Sequence, residues 1–593
     1  MNRKLLYLVG VMVLVMSIIL SACATPSAPT TEPTAAVEEP AEEPTEPPAE
    51  EPETEEPAET AEVPGTGGFE PLSVSADCDA EDYSGLFKTI EAVDELTVRF
   101  TMCQPDPAFP SKAAFSPFSI QPKEYLEQTG GGGEGSILLE RPIGTGPYMV
   151  AEWSRGNELV FVRNENYWGE LAIEPTLVFR WSSEAAQRLL ELQSGTVDGI
   201  DNVGPDDFPV VESDPNLELI VRPPLNTFYV GMNNTYPPFD DERVRQAIAM
   251  GIDRQRIVDN FMPPGSEVAS HFTPCSIPGG CEGEEWYEFD PEAARTLLAE
   301  AGYPDGFETE IAYRDVVRGY LPQPGVVAQD IQAQLRENLG IEATINVMES
   351  GAFIAAADAG ELPGLHLLGW GADYPDVTNF LDFHFGIGAS AQMGEKFDDI
   401  TSALQQGASL ADNAARAPFY AEANNAIKQH VPMVPISHAA SAVAFRASLE
   451  GTHASPLSNE YFAVVEDPDD DTLVWMQNAE PISLYCADET DGESLRACEQ
   501  VTEALLSYEI GGVEVRPGLA TSCDPNEDLT VWTCHLREGV LFHDGSTLDA
   551  NDVVFSYLVQ WDASHPLHTG NTGAFTYFSA LWGGFLNAPP AEE

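Results

Sequence analysis

A compositional break near residue 66 decides which part of this chain can fold. Residues 24–66 are almost wholly Pro, Glu, Thr and Ala, with thirteen Glu and no Asp, Lys or Arg. Such a stretch has too little apolar surface to offset the entropy of ordering it, and its prolines and like charges extend it. It reads as a spacer, so any folded body must come from the residues beyond it. That remainder is long enough for a large multi-lobed unit. With 43% hydrophobic and 9% aromatic residues overall, the chain can also fill a large core. Ahead of the spacer, Arg3 and Lys4 precede an apolar run over residues 5–20, broken only by Gly10 and Ser17. A positive start, a short apolar run and small residues before a cut describe a secretory signal peptide over residues 1–22. The run falls short of the ~20 apolar residues that a spanning helix needs.

The ending Leu20-Ser21-Ala22-Cys23 resembles a bacterial lipobox. That resemblance implies cleavage before Cys23 and lipidation of its thiol, which makes residues 23–66 a tether. The expected location is extracytoplasmic, lipid-anchored on the periplasmic or cell-surface side of the membrane. Charge narrows the partners. Lys+Arg is 27 and Asp+Glu is 97, for a net charge of -70. Leader and spacer hold only two of the basic and thirteen of the acidic residues, so the body is acidic in its own right. An acidic surface without clustered Lys/Arg excludes phosphate-backbone binding, so no nucleic-acid partner is expected.

Eight cysteines follow Cys23: Cys78, Cys103, Cys275, Cys281, Cys486, Cys498, Cys523 and Cys534. Outside the cytosol an even count favours disulfides, although eight cysteines allow 105 connectivities. The residues fall into sequence-local couples, and pairing between neighbours is the expectation. Cys275 and Cys281 bracket the turn-rich Ser-Ile-Pro-Gly-Gly. Neither CxxC-like spacing nor adjoining His ligands suggest zinc, so no metal site is expected.

Periodicity places strands and helices in alternation. Residues 96–101 alternate as a half-buried strand. Residues 184–192 have helical spacing, and 241–261 read as one long amphipathic helix with Val244, Ala247, Ile248, Ile252 and Ile257 on one stripe. A helix is expected over 291–301, capped by Asp290 and ended by Gly302. Another is expected over 326–339, followed by a strand over 342–347. Helix and strand in repeated alternation indicate an α/β protein.

Several segments, in order, resemble the peptide-binding branch of bacterial solute-binding proteins (family 5), the extracytoplasmic receptors of ABC importers. They are Arg141-Pro142-Ile143-Gly144-Thr145-Gly146-Pro147-Tyr148, Asn164-Glu165-Asn166-Tyr167-Trp168, Gln193-Ser194-Gly195-Thr196-Val197-Asp198, the stretch from Asn226 to Asn233, Pro238-Phe239-Asp240-Asp241, and Gly369-Trp370-Gly371-Ala372-Asp373-Tyr374. The resemblance implies a two-lobed, periplasmic-binding-protein-like α/β fold of type II, in the three-subdomain peptide-receptor form, with mixed sheets and a hinge. It places the large lobe in 67–230 and 436–593, and the second lobe in 231–435.

The order of modules departs from the family. Leu473-Val474-Trp475, Asp491-Gly492-Glu493-Ser494-Leu495-Arg496, Pro517-Gly518-Leu519-Ala520 and the stretch from His535 to Gly545 resemble the family's beginning, yet they stand at the end here. Each module occurs once. This reads as a circular permutation, which exposed loops and neighbouring termini allow; the alternative is the end of one receptor fused to the start of another. A permuted fold requires Phe585 to end near residues 69–83. It also requires the strand from Leu473 to pair inside the large lobe, across the acidic linker 466–471.

The resemblance also implies the site residues. Asp373, three residues after Trp370, would meet a peptide's α-ammonium. Arg318, in Arg318-Gly319-Tyr320-Leu321-Pro322, would take the ligand carboxylate, with Arg314 as a nearby rival and Gly319 where the family has Pro. Trp370 and Tyr374 would wall the pocket, and Asn226 completes the set. The expected partners are a small solute, a peptide by family likeness, and the permease subunits, with the receptor itself monomeric. No cofactor and no catalytic residue are expected. A non-peptide solute such as a nickel complex, an oligosaccharide or haem is the alternative within the receptor class. A secreted hydrolase pairing His384 or His366 with Asp373 or Asp382 is the alternative outside it, although neither G-x-S-x-G nor HExxH is present.

Overall fold

The computed structural model describes residues 69–80, 83–410 and 412–587. The signal segment, Cys23 and the spacer lie outside the described residues. The strand Thr97–Met102 shows how alternation becomes structure: Val98, Phe100 and Met102 point inward and their neighbours are half-exposed. It is the middle strand of a five-stranded sheet running Ser73–Ser75, Phe87–Asp94, Thr97–Met102, Val531–Leu536, Ala520–Pro525.

A seven-stranded sheet carries, in order, Tyr148–Ser154, Glu158–Arg163, Thr176–Trp181, Thr472–Gln477, Gly199–Ile200, Ser441–Arg446 and Leu217–Arg222. A six-stranded sheet carries Glu267–Val268, Met433–His438, Asn226–Met232, Leu365–Gly371, Glu308–Arg314 and Glu342–Met348. The chain leaves the seven-stranded sheet after Arg222 and returns at Ser441, so the two crossings fall at residues 223–225 and 439–440. These crossings sit away from the expected limits of 230 and 435, because Asn226–Met232 pairs along its whole length inside the second sheet, with Leu365–Gly371 and Met433–His438.

The cores divide the same way. One apolar cluster joins Phe87, Phe161, Phe179 and Trp475 with Trp561 and Trp582, and another, separate cluster surrounds Phe228, Ile248, Ile331 and Leu365. The fold is thus a two-lobed α/β architecture with mixed sheets.

The expected helix over 241–261 is two helices, Glu242–Gly251 and Arg254–Phe261. Asp253 breaks it: its side chain accepts from the N–H of Arg256 and caps the second helix. Asp290 does cap Pro291–Glu300, accepting from the N–H groups of Glu292 and Ala293. The cysteines pair as neighbours: Cys78–Cys103, Cys275–Cys281, Cys486–Cys498 and Cys523–Cys534.

The last hundred or so described residues are built into the body. The strand Thr472–Gln477 runs parallel between Thr176–Trp181 and Gly199–Ile200, with Trp475 level with Phe179 and Gly199. Val531–Leu536 pairs antiparallel with Thr97–Met102. Near the end, the Leu86 N–H donates to the Trp582 carbonyl at 2.6 Å and Ser84 Oγ donates to the Gly583 carbonyl at 2.8 Å. Phe69 and Phe585 pack on the same core.

Candidate functional site

A cavity of about 800 Å³ lies where the two sheets' loops face each other at the crossings. Its walls come from both lobes: Trp370, Asp373 and Arg314 on one side, Asp491, Glu493 and Tyr577 on the other. The second lobe offers the carboxyl ends of its parallel strands, where open α/β sheets bind ligands.

Asp373 stands two residues beyond the strand Leu365–Gly371. Asn379, fully buried, fixes it: Nδ2 donates to Asp373 Oδ2 at 2.9 Å, while Asn379 Oδ1 accepts from the Asp373 N–H at 3.0 Å and from Trp370 Nε1 at 3.1 Å. From the other lobe, the Tyr577 hydroxyl donates to Asp373 Oδ1 at 2.8 Å. Both contacts are neutral. Burial dominates over these two hydrogen bonds and pushes the carboxyl up to about 7. Among the described residues no cation pairs with Asp373, so a cavity-facing carboxylate lies ready for one.

Trp370 stacks on Phe383 with centroids 4.0 Å apart and forms a flat wall. Gly369 just before it is required by packing: a Cβ there would meet the Tyr320 ring at 2.3 Å and the Thr227 carbonyl oxygen at 2.5 Å. Tyr320 therefore lies across the strand, and the loop from Arg314 to Leu321 forms a lip over the cavity. On that lip Arg318 faces Glu493 of the opposite lobe at 3.5 Å. Its guanidinium thus already has a carboxylate.

Two expected liners do something else. Tyr374 is buried in the large lobe's core, its hydroxyl against Thr378 Oγ1 at 3.2 Å, and it does not line the cavity. The reason is the turn that follows Asp373, where Arg416 grips Asp376 through both oxygens at 2.7 and 2.8 Å. Asn226 lies at the cavity edge, but its amide is taken up by Ala439, donating to the carbonyl at 2.7 Å and accepting from the N–H at 2.9 Å. It clamps one crossing to the other rather than presenting a free donor.

At the cavity wall, where Asp201 and Arg496 are among the lining residues, a buried ring of four charges closes on itself. Arg222 reaches Asp201 at 2.9 Å and Glu460 at 2.6 Å, and Arg496 reaches Asp201 at 3.0 Å and Glu460 at 2.9 Å. Burial alone would raise the Asp201 carboxyl; Arg496 and Arg222 override it and hold it at about 2. On the large-lobe wall Asp491 caps Gly492–Cys498, and burial, with Glu493 beside it, lifts it to about 6.

The histidines make no acid–base pair with these acids. His366 lies against Gly231 with neither ring nitrogen partnered, and burial lowers it to about 4. His384 is also lowered to about 4 by burial; its Nδ1 donates to the Phe380 carbonyl at 2.8 Å, and its ring packs on Trp370 and Phe383. Near Cys275 and Cys281, His271 completes a cluster of metal-type ligands, but both sulfurs are in the disulfide.

Sequence reasoning missed Asn379 and Tyr577. Asn379 was within reach, six residues from Asp373 in the same loop. Tyr577 carries no local signal, since only the fold brings it across 204 residues.

A cavity between two lobes joined by two short crossings, faced by the Asp373 carboxyl with no cation beside it among the described residues, is the layout of a solute-binding receptor. The chain belongs to the bacterial extracellular solute-binding proteins, family 5, whose family model matches residues 51–392 and 514–577. It is 30% identical over 387 residues to a dipeptide-binding protein of Pseudomonas aeruginosa, covering 64% of this chain and 72% of the relative. It is 29% identical over 386 residues to heme-binding protein A of Haemophilus influenzae, covering 65% and 70%. Among solved structures it is similar to the ABC transporter-associated periplasmic binding protein DppA of Helicobacter pylori in complex with the peptide STSA. That match has a TM-score of 0.57 and 27% identity, covering 64% of this chain and 74% of the other. These relatives are solute-binding receptors, and this protein is a receptor rather than an enzyme.

Proposed function

We propose that this protein is the lipid-anchored receptor of an ABC importer, capturing short peptides between its lobes and passing them to the permease. The observation that carries the peptide reading is Asp373. It is a cavity-facing carboxyl held by two neutral donors and pushed up to about 7 by burial, with no cation beside it among the described residues. A peptide's α-ammonium supplies the missing charge, and a charge-assisted bond in a site shielded from water is strong. The names of the Pseudomonas dipeptide-binding protein and of the Helicobacter protein in complex with a peptide support the same ligand class. Closure of the lobes over the solute follows from two short crossings acting as a hinge. Cys23 would carry the lipid and residues 24–66 would hold the receptor away from the membrane.

The same proposal includes the rotated order of modules. Its support is the seam: Thr472–Gln477 sits inside the large lobe's sheet, and the end of the described chain packs beside its beginning.

Native mass spectrometry of the purified protein, before and after incubation with a defined peptide mixture, tests the function. Retention of intact peptides is the expected result. Turnover of the mixture would replace the receptor reading with a hydrolase. A co-purified mass matching haem, a nickel complex or a sugar would replace the peptide.

A further inference from the structure

Three guanidinium groups line the cavity, those of Arg314, Arg318 and Arg496. Arg496 is matched by Asp201 at 3.0 Å and Glu460 at 2.9 Å, and Arg318 by Glu493 at 3.5 Å. Arg314 differs. Its Nη1 donates to Ser350 Oγ at 3.1 Å and its Nη2 to the Tyr320 hydroxyl at 3.2 Å, both neutral acceptors. Among the described residues no carboxylate lies within 4.0 Å of it. An arginine has five N–H donors in a rigid fork, so most of this fork is uncommitted.

Its neighbours do not supply the missing anion. Glu349 stands beside Ser350, but its carboxylate caps its own helix, Ser350–Asp358, accepting from the Ala352 N–H at 2.9 Å. Asp358, at the far end of that helix, also lines the cavity, and burial raises its carboxyl above the usual range.

Arg314 is the last residue of Glu308–Arg314, which runs parallel to Leu365–Gly371 with Ala312 level with His366. Continuing that register puts Arg314 level with Leu368, five residues short of Asp373. Five residues span at most ~18 Å, and peptides of two to four residues extend ~7–14 Å. Among the described residues Asp373 is thus a cavity carboxylate without a cation and Arg314 a cavity guanidinium without an anion, and the two stand at the ends of neighbouring strands.

We infer that Arg314, rather than the motif-matched Arg318, holds the C-terminal carboxylate of the bound peptide. The inference rests on the peptide reading. Arg318 instead spans the lobes to Glu493, and its contribution is to hold the lip against the large lobe. Tyr320, laid across Gly369, holds one arm of the Arg314 fork through its hydroxyl.

Calorimetric titration with tri-alanine and tri-alanine amide tests it, on the wild-type protein and on Arg314→Gln and Arg318→Gln. The free acid should bind roughly ten- to a hundredfold more tightly than the amide to the wild type, as expected for a lost charge-assisted bond. That gap should collapse in Arg314→Gln and persist in Arg318→Gln. Arg314→Lys, which keeps the charge without the fork, should retain part of it and shows that the site still folds. A gap that survives in Arg314→Gln, or collapses in Arg318→Gln alone, overturns the assignment and leaves the peptide reading standing. Acid and amide binding equally to the wild type does the same. Failure of both peptides to bind the wild type overturns the peptide reading and this inference with it.

Discussion

The Tyr577 hydroxyl donates to Asp373 Oδ1 at 2.8 Å, so one lobe's phenol holds the other lobe's carboxylate. The contact spans the cavity that the two lobes form and is made by residues 204 positions apart. It aims the carboxylate while leaving its charge uncompensated.

Removing that donor should therefore weaken capture. Tyr577→Phe keeps the ring and its packing on Phe115 at 4.8 Å. The hydrogen bond it deletes, to a charged acceptor, is worth ~1.5–3 kcal/mol. Affinity for a free-amine peptide should fall by roughly tenfold or more, read by calorimetry at neutral pH. An unchanged affinity would mean that the contact does not persist in the liganded state.

Acidity should act through the same carboxyl. Burial lifts Asp373 to about 7 in the unliganded receptor, so below that pH it holds a proton. An ammonium beside it favours the ionised form, so binding releases the proton. Affinity should then drop as pH falls below about 7, by up to ~tenfold per unit. Above ~8 the peptide's own amine deprotonates, which closes the window from the other side. Titrations in buffers of different ionisation enthalpy between pH 5 and 8 measure the released proton directly. A pH-independent constant with no proton release would contradict this account.

The buried ring of Arg222, Asp201, Arg496 and Glu460 joins segments on either side of the acidic linker 466–471. Glu460 lies before the linker and Arg496 after it, yet their side chains meet at 2.9 Å. Breaking a buried ion network leaves a charge without a partner and costs ~3–5 kcal/mol. Glu460→Gln should lower the unfolding midpoint in denaturant sharply, while a surface change such as Glu337→Gln should not. Equal midpoints for both would show that the ring contributes little.

The rotated order has its own consequence. The Leu86 N–H donates to the Trp582 carbonyl at 2.6 Å and Ser84 Oγ to the Gly583 carbonyl at 2.8 Å, so the last described residues lie beside residues 84–86 and the two ends can be joined by an engineered loop. A chain opened in the linker 466–471 and closed between those ends should fold and bind with the parent's affinity. Failure to fold in that order would favour the fused-fragment origin.

How much of this was readable depended on whether the determining contact was local. Asp290 and its helix were readable because capping acts over three residues. The break at Asp253 was not, because an apolar stripe runs through it and only the side-chain cap reveals two helices. Asp373 and Trp370 came from a short motif whose geometry is set within one loop. Tyr374, one residue on, turns into the core because Arg416 pins Asp376, a contact 40 residues away that no local pattern marks. Arg318 matched its motif, but the pattern carries no information about Glu493 on the other lobe. The same blindness hid Tyr577.

Whether Asp373 receives a ligand's ammonium is decided by the binding of matched peptides with free and acetylated α-amines to wild type and Asp373→Ala. Asp373→Ala should weaken the free-amine peptide by roughly ten- to a hundredfold, the scale of one charge-assisted bond, and barely change the acetylated one. Equal losses for both peptides, or none for either, would contradict it.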